Sequence, residues 1–345
     1  MSAGHRTEGE ETRFLAFLSP STYKARKKWD GLRGLPSLRV PFGLTVGAGL
    51  LTLLSLWSPS GPRADVSLTP LVAELAPSLS LPVSMNERVD RWMERYLNDQ
   101  RPAFERYLAR EGLYSEMIKE ALRAKGMPEE LFYLAAIESG FSPGATSRVS
   151  ASGMWQFMGP TAEQFGLQID EYVDERRDPI RATEAALDYL QALHGRFGSW
   201  YLAAAAYNAG PGRVSRALRA HSGDQTGEKE LYWEIIELLP RETRAYVPKM
   251  LALIVLGQAA EDYGFRVERA DPVEFDRVWV PGGTSLRWVA KSLGRPVSKL
   301  RELNPHLIRG VTPPNALFPV RIPPGTSPQL VASGGGRWRT VSVDD

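Results

Sequence analysis

The sequence predicts a mainly α-helical protein that ends in a small α+β module. Between residues 86 and 260, apolar side chains recur at helical spacing, as with Val89 and Trp92 near the start. From Val278 the pattern changes to a short strand, a glycine turn, two short helices and a closing strand. A chain of 345 residues with 43% hydrophobic and 24% charged residues has the composition of a globular protein and room for two domains.

The composition excludes several classes of function. A net charge of +2 is too small to indicate nucleic-acid binding, and the absence of cysteine excludes disulfides, thiolate metal sites and a lipid on an N-terminal cysteine. The four histidines are far apart and lack metal-ligand spacing, so each is expected at the surface or as a cap: His5, His194, His221 and His306. We expect no metal, no cofactor, no nucleic-acid partner and a monomer.

The N-terminal part indicates export. Residues 1–41 are polar and basic, which predicts a cytoplasmic N-terminal segment. The uncharged run that follows is shorter than the ~20 residues of a comfortable spanning helix, so residues 42–58 are expected to be a signal anchor or a signal-peptide core that contacts the membrane. A buried soluble helix is disfavoured because the run has no polar face. Residues 59–84, rich in proline, serine and leucine, are expected to be a linker.

The first helices of the body are predicted from apolar spacing and from proline. The amphipathic pattern that begins at Val89 is expected to stop at Pro102 and then to continue, and residues 113–124 are expected to form a separate helix. These helices carry no residues that indicate chemistry, and we interpret them as scaffold.

The next helix carries a carboxylate, Glu138, at its end. Pro128 followed by two glutamates predicts the start of this helix, and Gly140 predicts its end. All of its faces are apolar, so the helix is expected to be buried. Burial disfavours the charged form of a carboxylate unless a cation or hydrogen bonds compensate, and this is the environment of a general acid. Position alone leaves open that Glu138 caps a loop or pairs with a buried arginine.

Residues 170–178 are rich in acids and are where a second catalytic carboxylate would be sought. The pattern favours a structural role, since Asp178 before Pro179 is typical of an N-cap followed by a first-turn proline. A later alanine-rich helix over residues 202–206 ends at Gly210 and places Tyr207 and Asn208 at its end. Two further helices are expected over 230–239 and 242–260, separated by Pro240.

Four motifs in order resemble those of the lytic transglycosylase (SLT) catalytic domain, in its membrane-bound lytic murein transglycosylase D type. They are Glu138-Ser139, Gly153-Met154-Trp155-Gln156, Ala206-Tyr207-Asn208-Ala209-Gly210 and Glu242-Thr243-Arg244-Ala245-Tyr246-Val247-Pro248-Lys249. The resemblance implies a lysozyme-like helical catalytic domain over residues 85–268, with Glu138 as the catalytic residue and Tyr246 beside it. It implies that the substrate is held by Ser147, Met154, Gln156, Tyr207, Asn208 and Tyr246.

Residues 274–325 resemble a LysM module, a small fold that binds N-acetylglucosamine polymers. Gly283 stands where the family has an acidic residue before the threonine of the opening turn, and Pro313-Pro314 lies in a lengthened loop. The alternative is a structural cap on the catalytic domain. Residues 326–345 are rich in glycine and serine and are expected to be a disordered tail.

The resemblance implies an exported enzyme on the periplasmic side of the inner membrane that cleaves peptidoglycan glycan strands. Ordinary glycosidases use two carboxylates, and no convincing second one is evident. A single glutamate suffices if the C6 hydroxyl of N-acetylmuramic acid is the nucleophile, because tethered groups reach effective molarities of about 10⁵–10⁸ M. The alternatives are a lysozyme-like hydrolase, which needs an acid from residues 170–178, and a non-catalytic cell-wall binding protein.

Overall fold

The computed structural model describes residues 79–223, 227–328, 330 and 339–340. The predictions for residues 1–41 and 42–58, and for the linker up to residue 78, therefore lie outside the described residues. Within the described ranges, no helix has both the length and the apolar composition needed to cross a bilayer.

A helical part comes first in the described chain and a small α+β part follows, as predicted. The α-helices of the first part are α1 (Glu87–Leu97), α2 (Arg101–Ala124), α3 (Tyr133–Ser139), α4 (Gly159–Gln164), α5 (Pro179–Phe197), α6 (Trp200–Ala209), α7 (Pro211–Ser222), α8 (Glu230–Ile235) and α9 (Arg241–Gln258). Short 3-10 turns lie at Glu129–Phe132, Glu175–Arg177 and Ile236–Leu238.

Several helix ends lie where the sequence predicts them. The side chain of Asn86 accepts hydrogen bonds from two backbone N–H groups at the start of α1, and Asp178 does the same at the start of α5. Gly140 ends α3 in the left-handed conformation, with φ of 62°. The local chemistry of these caps is sufficient to place the helix boundaries.

The predicted interruption near Pro102 is present, since α1 ends at Leu97 and α2 begins at Arg101. The separate helix expected over residues 113–124 is wrong, because α2 runs without interruption from Arg101 to Ala124. Pro102 lies in the first turn of this helix, where a missing N–H group has no helical partner to lose. The helix α7 was not predicted. It starts at Pro211, directly after the glycine that ends α6.

The centre of the helical part is α9, whose residues from Met250 to Leu256 are almost completely buried. It packs against α1, α3 and α6. Gly257 permits a close approach to α3, because a Cβ atom added there would lie 1.9 Å from the hydroxyl oxygen of Tyr133. This close packing fixes α3, which ends with Glu138 and Ser139, against α9.

The α+β part contains β1 (Asp276–Val280), α10 (Leu286–Ser292), α11 (Val297–Leu303), β2 (Phe318–Ile322) and β3 (Arg339–Thr340). The strand β1 is central and pairs antiparallel with both others, with Val278 opposite Val320 in β2 and Thr340 in β3. The predicted strand–helix–helix–strand order is confirmed. The third strand was not predicted.

Two segments expected to be irregular pack against the body of the protein. At the end of the linker, Leu81 is buried. Beside it, Glu130 accepts hydrogen bonds from Ser80 N at 3.0 Å and from Ser80 Oγ at 2.7 Å. The hydroxyl oxygen of Tyr201 accepts a further one from Ser84 N at 3.0 Å. In the expected tail, Leu330 is buried in the core of the α+β part. The composition of both segments predicts irregular, exposed chain, and this is wrong at Leu81 and Leu330 because each leucine packs against residues that are distant in the sequence.

The acid-rich residues 170–178, here called the docking segment, form the contact between the two parts of the chain. Val173 is buried in the core of the α+β part. The backbone N–H of Asp174 donates to the carbonyl of His306 at 2.9 Å, and that of Ile308 donates to the carbonyl of Tyr172 at 3.0 Å. The connection between the parts is also held, since the N–H of Ala270 donates to a carbonyl of α2 at 2.9 Å.

A buried ionic cluster lies at the end of the docking segment. Asp178 accepts hydrogen bonds from Nη2 of Arg321 at 2.8 and 2.7 Å, and its Oδ2 is 3.3 Å from Nδ1 of His306. Burial alone would raise the pKa of Asp178, but the charges of Arg321 and His306 outweigh it and lower that pKa. The expectation that His306 is a surface or capping residue is wrong, because the docked parts enclose its ring.

The enclosed imidazole predicts an acid-dependent loss of stability. Burial, opposed by Asp178 and assisted by Arg321, lowers the pKa of His306 to about 4 from the ordinary 6.5. Because the unfolded chain takes up this proton at a higher pH, the free energy of unfolding falls as the pH drops from about 6.5 to about 4. Between pH 7 and pH 5 we expect a loss of about 2 kcal/mol from this group, measured by urea unfolding.

Two histidine variants separate this effect from general acid destabilisation. His306→Gln is expected to reduce the dependence on pH in this window. His221→Gln is the control, since His221 is exposed beside Glu234. Equal slopes in the wild-type protein and in His306→Gln would contradict the prediction.

Candidate active site

Glu138 lies in the last turn of α3 with only 4% of its surface exposed. The hydroxyl of Tyr246, from α9, donates a hydrogen bond to its Oε1 at 2.8 Å. Tyr246 is itself buried, with 3% exposure. The close packing of α3 on α9 therefore places one buried carboxylate against one buried phenol.

Both tyrosines near Glu138 remain protonated at physiological pH. Burial, followed by the charge of Glu138, raises the pKa of Tyr246 well above its ordinary value, and the same two causes raise the pKa of Tyr207. Each phenol is therefore a hydrogen-bond donor throughout the physiological range. The hydroxyl of Tyr246 therefore keeps its proton, and its hydrogen bond to Glu138, at every pH within that range.

Residues 140–158, here called the site loop, are tied to the helices that surround Glu138. Ser139, the neighbour of Glu138, donates its hydroxyl to the carbonyl of Met154 at 2.8 Å. Tyr207, from α6, donates to the carbonyl of Trp155 at 2.9 Å. The indole of Trp155 is completely buried and donates to Thr183 of α5 at 2.9 Å. Three helices thus fix the central part of the site loop.

The backbone of the site loop is held in an unusual conformation at Gly153 and Gln156. Gly153 has φ of 83°, and a Cβ atom there would lie 1.6 Å from the carbonyl oxygen of Arg176, so only glycine fits. Gln156 has φ of 51°, a left-handed conformation that costs a residue with a side chain about 1–2 kcal/mol. The side-chain nitrogen Nε2 of Gln156 donates to the carbonyl of Gly153 at 2.8 Å, which stabilises the turn.

Asn208 lies at the end of α6, next to Tyr207, and is half-buried. Its Oδ1 accepts a hydrogen bond from the hydroxyl of Thr243 at 2.8 Å, and its Nδ2 lies 3.5 Å from Oε1 of Glu242. Thr243 and Glu242 belong to the first turn of α9, one turn before Tyr246. The same helix therefore contacts both Asn208 and Glu138.

The structure brings together some of the predicted site residues and gives others a place in the site loop. Glu138 is close enough to Tyr207 and Tyr246 for its charge to add to burial in raising the pKa of both phenols. Ser147 accepts a hydrogen bond from Ala151 N at 3.0 Å, and Met154 is completely buried. Together with Gln156 these residues stabilise the site loop, and their contact with substrate stays a prediction.

Sequence reasoning missed two hydroxyl groups. Ser139 and Thr243 are both buried and both bond to predicted site residues, Met154 and Asn208. A signal for each was present in the motifs: Ser139 directly follows Glu138, and Thr243 precedes Tyr246 by one helical turn.

The acids of the docking segment are engaged in local or interdomain contacts. Asp170 accepts hydrogen bonds from two backbone N–H groups, chiefly that of Val173, which lower its pKa. The partners of the others are Arg309 for Glu171, Arg176 for Asp174, the N–H of Gln168 for Glu175, and Arg321 for Asp178. This agrees with the structural interpretation of the segment. Across the ranges that the structure describes, no cluster of His, Asp and Glu could hold a metal ion.

Comparison with protein families identifies both parts of the chain. Residues 115–229 match the model of the Transglycosylase SLT domain, and residues 274–333 match that of the Lytic transglycosylase MltD, LysM-like domain. The chain therefore contains an SLT domain followed by a LysM-like domain of the MltD type. The second match extends into the segment that was expected to be a disordered tail.

Two individual relatives are named as lytic murein transglycosylases. The chain is 34% identical over 236 residues to membrane-bound lytic murein transglycosylase D of Escherichia coli K12. The aligned region covers 68% of this chain and 51% of that protein. It is 32% identical over 146 residues to the soluble lytic murein transglycosylase of the same strain, covering 40% of this chain and 22% of the relative. The chain thus spans about half the length of the first relative.

A solved structure that resembles the chain is the lytic transglycosylase Slt of Pseudomonas aeruginosa, determined as an inactive mutant. The sequence identity is 28%, the TM-score is 0.34, and the match covers 41% of this chain and 24% of the other.

Proposed function

We propose that this protein is a peptidoglycan lytic transglycosylase that cleaves the β-1,4 bond between N-acetylmuramic acid and N-acetylglucosamine and leaves 1,6-anhydromuramyl ends. The observation that carries the proposal is the buried carboxylate of Glu138, which lies within the match to the SLT domain and accepts a hydrogen bond from Tyr246 at 2.8 Å. The names of the relatives support the same substrate and reaction.

In the proposed reaction, Glu138 acts first as an acid and then as a base. Protonated Glu138 gives its proton to the glycosidic oxygen, and the bond from C1 to that oxygen breaks. The positive charge that develops at C1 is stabilised by the 2-acetamido group of the same sugar. The C6 hydroxyl oxygen then bonds to C1, and the carboxylate of Glu138 takes the hydroxyl proton, which restores the acid.

The other residues would orient these groups. Tyr246, which stays protonated, would orient Glu138 through the hydrogen bond that it donates to one carboxyl oxygen. Tyr207 and Asn208 would bind the sugar beside it. Ser147, Met154 and Gln156 would shape the wall of the site through the loop they stabilise.

A hydrolase would require a second carboxylate to activate water. The docking segment is an unfavourable source, because its acids have other partners and Asp178 is buried against the LysM-like part. This favours attack by the substrate's own hydroxyl group over attack by water.

The substrate and location follow from the same proposal. The enzyme would be exported, on the periplasmic side of the inner membrane, attached through residues 42–58 and acting as a monomer on glycan strands. The name of the relative as a membrane-bound protein supports attachment. A reporter enzyme fused after Arg63 is expected to be exported and therefore to show its activity outside the cytoplasm. Reporter activity found only in the cytoplasm would contradict export.

Mass spectrometry of the muropeptides released from purified peptidoglycan tests the reaction. Anhydro ends, lighter by one water than the products of hydrolysis, are expected. Reducing ends would identify a lysozyme-like hydrolase. Co-sedimentation with the polymer and no released product would identify a binding protein, so either result would overturn the proposal.

A further inference from the structure

The buried hydroxyl of Thr243 has a single described side-chain partner. Thr243 is 1% exposed, and its Oγ1 donates to Oδ1 of Asn208 at 2.8 Å. A valine would fill the same space, so packing does not require this hydroxyl. A buried hydroxyl without a hydrogen-bond partner is destabilising, and Asn208 provides the partner.

A carboxamide has one accepting end and one donating end, and its two orientations differ in what they present to a neighbour. At the oxygen end of Asn208 lies the donor Thr243, at 2.8 Å. Near the nitrogen end lies Oε1 of Glu242, at 3.5 Å. A flipped amide would place its oxygen beside the carboxylate of Glu242, and two acceptors repel each other. The carboxylate of Glu242 therefore favours the observed orientation, and the hydroxyl of Thr243, which can donate or accept, holds the amide in place.

We infer that Thr243 is a positioning residue that holds the Asn208 amide with one of its N–H groups directed towards an acceptor oxygen of the bound sugar. The inference rests on the proposed function, and it adds a residue that fixes the position of the Asn208 amide, while Glu242 sets which end of that amide the substrate meets. The nitrogen carries two hydrogens, so a contact with Glu242 leaves one for the substrate. α9 would thus orient a binding group through Thr243 and the catalytic carboxylate through Tyr246.

The test is the affinity of the full chain for soluble, uncrosslinked glycan strands, measured by calorimetry. The Glu138→Gln background is used so that the strands are not cleaved. Thr243→Val keeps the shape of the side chain and removes the donor, and we expect its dissociation constant to rise about tenfold, the effect of losing one well-placed hydrogen bond. Thr243→Ser restores the donor and is expected to bind within about twofold of the background protein.

A double substitution distinguishes positioning from a structural role. In the Asn208→Ala background, Thr243→Val is expected to weaken binding no further, because no amide remains to be oriented. A full additional loss there, or Thr243→Val binding as tightly as the background protein, would overturn the inference. Failure of the background protein to bind strands would overturn it as well.

Failure of the proposed function has a different signature. Reducing ends in the product analysis would refute the transglycosylase reaction, while the binding measurements with the Thr243 variants would still decide the role of this residue. Intact chemistry with no effect of Thr243→Val would refute the positioning role alone.

Discussion

Replacing Glu138 by glutamine is expected to reduce the release of anhydro products by about 10²–10⁴-fold, the contribution of a positioned proton-transfer group. The amide has nearly the same shape and its oxygen can still accept the hydrogen bond from Tyr246. It cannot give a proton to the leaving oxygen or take one from the C6 hydroxyl. Turnover of purified peptidoglycan, followed by mass spectrometry, measures the loss.

The chain offers a matched control in Glu130, which is also buried, with 5% exposure against 4% for Glu138. Glu130 accepts hydrogen bonds from the N–H and hydroxyl of Ser80, so its carboxylate holds the chain at Ser80 against the helical part. Glu130→Gln is expected to keep turnover within a few-fold of wild type once the folded fraction is accounted for. Similar losses in the two variants would show that burial, and not proton transfer, accounts for the effect.

Replacing Arg321 by methionine is expected to destabilise the protein by about 3–5 kcal/mol, because it leaves the carboxylate of Asp178 buried without its main counter-charge. Arg321 is 8% exposed and makes both of its Nη2 contacts with Asp178. The loss should be greatest at pH 8, where His306 is neutral and cannot compensate. Urea unfolding at pH 8 measures it.

Arg309→Met is the control for this prediction. Arg309 binds Glu171 across the same contact at 3.0 Å, but both side chains are more than half exposed. Pairs of this kind contribute about 0–1 kcal/mol. Combining Arg321→Met with Asp178→Asn is expected to recover most of the loss, since asparagine keeps the cap of α5 without a charge. An Arg321→Met variant as stable as Arg309→Met would contradict the prediction.

The sequence predicts the local features of the candidate site well. Gly140 after α3 and the aspartate–proline pair at the start of α5 are signals read within a few residues, and each places a helix boundary. Pro128 and the two glutamates after it mark the start of the 3-10 turn Glu129–Phe132, and α3 begins only at Tyr133. The contact between Tyr246 and Glu138 was expected only from the family resemblance. Their separation in the chain, 108 residues, is beyond any periodic pattern.

What the sequence does not predict depends on distant partners. Leu81 and Leu330 lie in segments of irregular composition, and their burial requires surfaces that other parts of the chain provide. His306 has an ordinary sequence context, and its enclosure results from docking against Asp178. The orientation of Asn208 by Thr243 also joins two helices, so neither motif alone reveals it.

The docking segment gives the LysM-like part a fixed position relative to Glu138. Val173 is buried in that part, while Arg176 of the same segment donates to the carbonyl of Ser150 in the site loop at 2.9 Å. A module on a flexible linker raises the effective concentration of its ligand throughout the volume that the linker sweeps. A docked module is held in one position and does not sweep such a volume. Under the proposed function, a glycan strand bound by this part would therefore lie at one distance and one angle from Glu138, and that distance would determine which bond along the strand is cleaved.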